Sequence, residues 1–274
     1  MYKEKISAWV DAHKDEMLED ICELCRVNSE KMPAEEDMPF GPGTAECLDM
    51  ALDMAEGYGF ETCDYDGYVG CVDMNELPHQ LDILAHLDVV PAGEGWTVTE
   101  PFKPVLKDGK LYGRGTADDK GPAVAALYAM RAVKELGIPL KKNVRLILGT
   151  DEECGSSDIR HYYSIEKEAP MTFSPDAEYP LVNTEKGRFP GHFTAGFEAS
   201  DALPRLVSIK AGTKVNVVPL FTSFCNSSLK SDKSSYVITF SLMRRTISHI
   251  ASDLLISMIT PGWRLSSFIR FSSS

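Results

Sequence analysis

The chain has 274 residues, 43% of them hydrophobic and 25% charged, with 28 basic against 41 acidic side chains and a formal net charge of -13. That length admits one large domain or two smaller ones around a real core, and the acidic balance argues against nucleic acid as a partner, because phosphate binding needs a basic face. No run of 18 or more apolar residues is present to span a membrane, and the charged opening lacks the apolar stretch of a secretory peptide.

Residues 2 to 28 read as one helix, since Ile6, Val10, Met17, Leu18, Ile21, Leu24 and Cys25 recur at helical spacing. Cys22 and Cys25 form a C-x-x-C inside that pattern. With seven cysteines in all, odd in number and scattered, they are expected as buried, reduced core residues, and a reducing cytoplasm is the expected location. Residues 44 to 57 suit a second helix, and Phe60 to Asp73 suits one or two strands broken at Asp66-Gly67. Leu81 to Ala85 is an apolar strand running into His86. A polar loop follows, then a hairpin about Asp108-Gly109. A helix is expected from Gly121-Pro122 to about Leu136, because proline suits a first helical turn. Val144 to Leu148 and Met171 to Ser174 are further strands. Strands alternating with helices predict an α/β domain with a mostly parallel sheet and functional groups at the carboxyl ends of its strands.

Composition changes sharply late in the chain. Residues 1 to 219 hold 39 acidic and 22 basic side chains, whereas residues 221 to 274 hold two acidic, six basic and 15 serines. The second stretch is expected to lie outside the fold, as a serine-rich tail from residue 220.

Four short runs carry chemistry. In His86-Leu87-Asp88 a carboxylate two residues from an imidazole can fix one tautomer while the other nitrogen binds a metal. Gly113-Arg114-Gly115-Thr116-Ala117-Asp118-Asp119-Lys120-Gly121 bends the chain twice and sets two carboxylates before a helix. Taken alone, that pair is equally a solvated acidic cap. Asp151-Glu152-Glu153 follows a strand, where three adjacent carboxylates repel one another unless a cation neutralises them. Ser174-Pro175-Asp176 follows another. One histidine and several carboxylates behind strands of one sheet suit zinc or manganese.

The runs AHLDVVP, GWTVTEPF, LYGRGTADDKGP, GTDEECGSSD and SPDAEYP, in this order, resemble the two-zinc dipeptidase and aminoacylase family, above all its bacterial dipeptidase branch. TEKGRF and IKAGTKVNVVP resemble the entry to that family's lid domain. The resemblance covers about residues 1 to 219 and implies a zinc-peptidase domain over residues 1 to 185 and the beginning of a smaller α+β lid over residues 186 to 219. It also implies roles. His86 and Asp176 hold one metal, Asp118 bridges to a second, and Glu153 holds that second metal. Asp88 orients His86, Glu152 is the general base, and Asn216 contacts the substrate, a small peptide. Two zinc ions are implied, with manganese or cobalt as substitutes, and the Asp118-Asp119 peptide bond is expected to be cis. The family's last metal-ligand histidine has no counterpart in this sequence. His249 sits in an unrelated context, so the chain by itself is expected to be inactive. Within the family, an N-acyl amino acid deacylase is the alternative activity. A metal-binding remnant without turnover is the alternative outside catalysis.

Overall fold

The computed structural model describes residues 2–179, Asn183, Thr184 and, as backbone, four short strands between residues 192 and 241. The chain divides into two units, Met1–Leu181 and Val182–Ser274.

In the first unit, Trp9, Ile21, Leu24 and Cys25 are buried, as their helical spacing requires. They lie on two helices, not one. α1 (Tyr2–Ala12) and α2 (Lys14–Arg26) meet at His13. His13 leaves helical dihedrals at φ -108, ψ 11. Its ring stacks on Trp9 at 3.8 Å, with Nδ1 2.7 Å from the Trp9 carbonyl oxygen. A side chain on that acceptor competes with the helical ladder. α3 (Pro42–Gly57) begins on proline, whose missing N–H is harmless in a first turn.

The central sheet has the order β1-β2-β6-β3-β7, with β1 at Glu61–Tyr65, β2 at Val69–Asp73, β3 at His79–His86, β6 at Asn143–Gly149 and β7 at Met171–Phe173. β6, β3 and β7 are parallel neighbours. β1 and β2 extend the sheet antiparallel from β6, because a turn with Asp66 and Gly67 both at positive φ returns the chain directly beside itself. A second hairpin, β4 (Val105–Lys107) with β5 (Lys110–Tyr112), turns at Asp108-Gly109.

α4 (Lys120–Glu135) crosses from β3 towards β6. Residues alternate across the sheet: Val72, Ile83, Ala85, Leu146 and Leu148 join the core formed with α2, α3 and α4, while Val69, Cys71 and Ile147 pack on Tyr162. Tyr162 belongs to α5 (Ser157–Ile165), a helix that the apolar spacing does not signal. Cys22, Cys25, Cys47 and Cys71 are free and buried.

In the second unit, β8 (His192–Phe193) pairs antiparallel with β11 (Phe240–Ser241), and β9 (Arg205–Ala211) pairs with β10 (Thr222–Ser227). Asn216, His249 and most of the serine-rich stretch lie outside the described residues. No helix among the described residues is long and apolar enough to cross a membrane.

Candidate metal centre

Three strand ends and one helix start converge. β3 ends on His86, β6 ends three residues before Glu152, and β7 ends three residues before Asp176. Asp118 sits at the mouth of α4, where the turn from Gly113 closes against the helix. Gly121 is required there, since a Cβ on it would stand 2.1 Å from the Thr116 carbonyl oxygen. The Asp118-Asp119 peptide bond is cis.

His86 is the hub. The ring is buried, with Nδ1 3.0 Å from the Asp88 carbonyl oxygen and 3.3 Å from Asp88 Oδ1. Nε2 lies 3.0 Å from Asp118 Oδ1, 3.7 Å from Asp176 Oδ2 and 3.9 Å from Glu152 Oε2. None of these contacts is aligned as a hydrogen bond, so Nε2 is buried without a partner. One ligand atom each from His86, Asp118 and Asp176 fall within 4.8 Å of one another. An orphaned imidazole nitrogen beside two carboxylates fits a divalent cation, and three protein ligands leave room for a fourth, exchangeable one.

Electrostatics fit the same reading. Burial opposes a charged His86, but the Asp118 and Asp88 carboxylates outweigh it and push its pKa to about 11. The contact with His86 holds Asp118 below its ordinary range. Without a metal, therefore, a proton on His86 answers the surrounding carboxylates. Burial, reinforced by neighbouring carboxylates, raises both Glu152 and Glu153. Glu153 is not part of the three-residue cluster.

Two residues do more than their sequence context announces. The Asp88 carboxylate accepts the backbone N–H of Glu152 on Oδ1 and of Glu153 on Oδ2, both at 3.1 Å, so it ties the end of β6 to His86. Asp119, fully buried, accepts the His86 N–H on Oδ2 at 3.1 Å. Burial raises its pKa to about 7. The run of adjacent aspartates signals an acidic turn but not that its two members face opposite ways. Nearby, a cavity of ≈ 360 Å³ is lined by the Ala92–Thr99 loop, Tyr112 and Arg114, with the Arg114 guanidinium 5.5 Å from the centre of the Trp96 ring.

Comparison with known proteins places this arrangement. The chain is 39% identical over 210 residues to YtjP of Bacillus subtilis (strain 168), covering 75% of this chain and 45% of that protein. It is 40% identical over 215 residues to the Beta-Ala-Xaa dipeptidase of Lactobacillus delbrueckii subsp. lactis, covering 77% and 46%. Human carnosine dipeptidase 1 shares the fold at a TM-score of 0.58 and 23% identity, over 73% of this chain and 47% of that one. The chain thus spans about half the length of the curated relatives it matches. The profile of peptidase family M20/M25/M40 matches residues 83–261, which takes in the His86, Asp118, Glu152 and Asp176 segments. With more than half of its length so matched, the chain belongs to peptidase family M20/M25/M40.

Proposed function

We propose that this chain carries the metal-binding part of a zinc-dependent dipeptidase, cleaving the amide bond of small peptides. The observation that carries the reading is the buried Nε2 of His86, without an aligned hydrogen bond and facing the Asp118, Asp176 and Glu152 carboxylates. The dipeptide substrate is supported by the Beta-Ala-Xaa dipeptidase among its relatives.

His86, Asp118 and Asp176 would hold one cation, and Glu153 with a shared Asp118 would hold a second. Zinc suits imidazole and carboxylate together, with manganese or cobalt as substitutes. When bound, the metal supplies Lewis-acid polarisation of the amide carbonyl and acidifies water. The remaining work falls to the chain's own side chains. Asp88 fixes the His86 ring so that Nε2 points into the site. Glu152 is the general base: it takes a proton from the attacking water and delivers it to the leaving amide nitrogen, a task suited by its raised pKa. Asn216 would contact the substrate.

The test joins residues 1–219 to the C-terminal half of the Lactobacillus enzyme and assays dipeptides beside N-acyl amino acids. Dipeptide turnover is expected from the fusion and not from the 274-residue chain alone. Glu152→Gln in the fusion should lower kcat by ~10²–10⁴-fold while zinc content stays unchanged. Near-normal turnover in that variant would remove Glu152 from the role, and cleavage of N-acyl amino acids alone would make the protein a deacylase.

A further inference from the structure

The segment between α2 and α3 belongs to no helix or strand, and its first five residues are Val27 to Lys31. This connector touches three of the four segments that carry the candidate site, those of Asp118, Asp88 and Glu152. At its start, the Lys120 ammonium, fully buried, donates to the Leu24 carbonyl at 2.8 Å and the Val27 carbonyl at 2.9 Å. Lys120 lies two residues after Asp118, and the Gly115 backbone packs on its side chain, where a Cβ would come within 3.0 Å of Cδ. A cation on the last carbonyls of α2 also answers that helix's dipole.

In the middle of the connector, Ser29 is fully buried. Its hydroxyl donates to the Leu87 carbonyl at 2.6 Å, and its carbonyl accepts the Val89 N–H at 3.2 Å. These two bonds bracket Asp88 on the loop leaving β3. At its end, the Lys31 ammonium lies 2.6 Å from Asp151 Oδ1 and 4.8 Å from the centre of the Phe40 ring. Asp151 is 1% exposed in its side chain, and its other oxygen accepts the N–H and hydroxyl of Ser157. It directly precedes Glu152 and Glu153.

We infer that the Val27–Lys31 connector is the positioning element of the metal centre, with Lys120, Ser29 and Lys31 as positioning residues that hold the Asp118, Asp88 and Glu152 loops in one register. None of the three touches a candidate ligand. Each fixes the backbone near one residue of the site, and groups spread over separate loops keep their geometry only if something outside them fixes the loops together. The inference rests on the reading of His86, Asp118 and Asp176 as metal ligands, and its test separates the two.

Lys31 is the residue to change, because its side chain is partly exposed and reaches the site only through Asp151. The full chain is compared as wild type, Lys31→Met and Lys31→Arg by zinc affinity in a chelator competition, by thermal unfolding of the metal-free protein, and by amide hydrogen exchange without metal. Lys31→Met is expected to weaken zinc binding by less than the ~10–100-fold typical of groups bonded directly to a ligand, because Lys31 acts through Asp151 and the Asp88 bonds to the Glu152 and Glu153 amides. The metal-free melting temperature should fall, since the buried Asp151 loses its cation, while exchange should quicken at the Glu152 and Glu153 amides in particular. Lys31→Arg should restore most of the affinity and the protection. Unchanged zinc affinity together with unchanged protection of those two amides would overturn the inference. So would an affinity loss matched by faster exchange spread over the whole first unit, which is ordinary destabilisation. Should the wild type take up no zinc, the metal reading fails, and the exchange comparison alone decides whether Lys31 holds the loop.

Discussion

Asp119 is fully buried, with one carboxylate oxygen on the His86 N–H and the other without a partner. A buried carboxylate so placed prefers its proton, and burial raises this one to about 7. Unfolded, it would lose that proton near 4. Between those values the folded state binds more protons than the unfolded state, so this residue's contribution to stability is present below about pH 4 and is lost as pH rises towards 7. Asp119→Asn removes the titration and keeps the acceptor oxygen. In metal-free protein, the melting temperature of Asp119→Asn minus that of wild type should therefore grow from pH 4 to 7 and then level off. A difference independent of pH would refute the assignment. His86, Asp118 and Asp176 stand out in sequence because each sits at a predictable element end. The bond from Asp119 back to His86, and the double bond of Asp88 to the loop after β6, join residues at least 33 positions apart, and no local pattern signals them.

The elements best marked in the sequence are those whose burial is continuous or whose turns demand special dihedrals. Leu81–Ala85 and Val144–Leu148 are apolar runs and form the parallel centre of the sheet. Asp66-Gly67 and Asp108-Gly109 sit at positive φ, and both are hairpin turns. Two features escape such reading. The break between α1 and α2 falls at His13, whose imidazole stacks on Trp9 and shares the Trp9 carbonyl, and it leaves the hydrophobic period untouched. α5 buries only Asp158 and Tyr162, too few positions to make a stripe. Asp158 instead accepts the Thr150 and Asp151 N–H groups and so shapes the loop that carries Glu152. At the mouth of α4, the fit of Gly121 against the Thr116 carbonyl gives a prediction for that element. Gly121→Ala must push the turn bearing Asp118 away from the helix, at about 1–3 kcal/mol as for other overpacked sites. A melting temperature lower by several degrees is expected, at about 2–4 °C per kcal/mol for a domain of this size, together with weaker zinc binding. An unchanged melting temperature would show that the turn yields freely.

At the scale of the whole molecule, the chain's first unit brings together a sheet, a crossover helix and three strand-end loops, while the chain spans about half the length of its relatives. Among the described residues one group of potential ligands lies close enough together to hold a metal ion: His86, Asp118 and Asp176. Among the described residues no second such group forms around Glu153. The 274-residue chain should accordingly bind one zinc ion tightly and a second weakly if at all. Because the Asp118 and Asp88 carboxylates outweigh burial and push the His86 pKa to about 11, zinc uptake near neutral pH should release a proton, and the heat of binding should vary with the ionisation enthalpy of the buffer. The direct test is calorimetric titration of zinc into metal-free wild type, His86→Ala and Asp176→Asn. One tight site in the wild type, lost in His86→Ala and weakened in Asp176→Asn, is the result expected. Equal stoichiometry and affinity in all three proteins would contradict the assignment of the site.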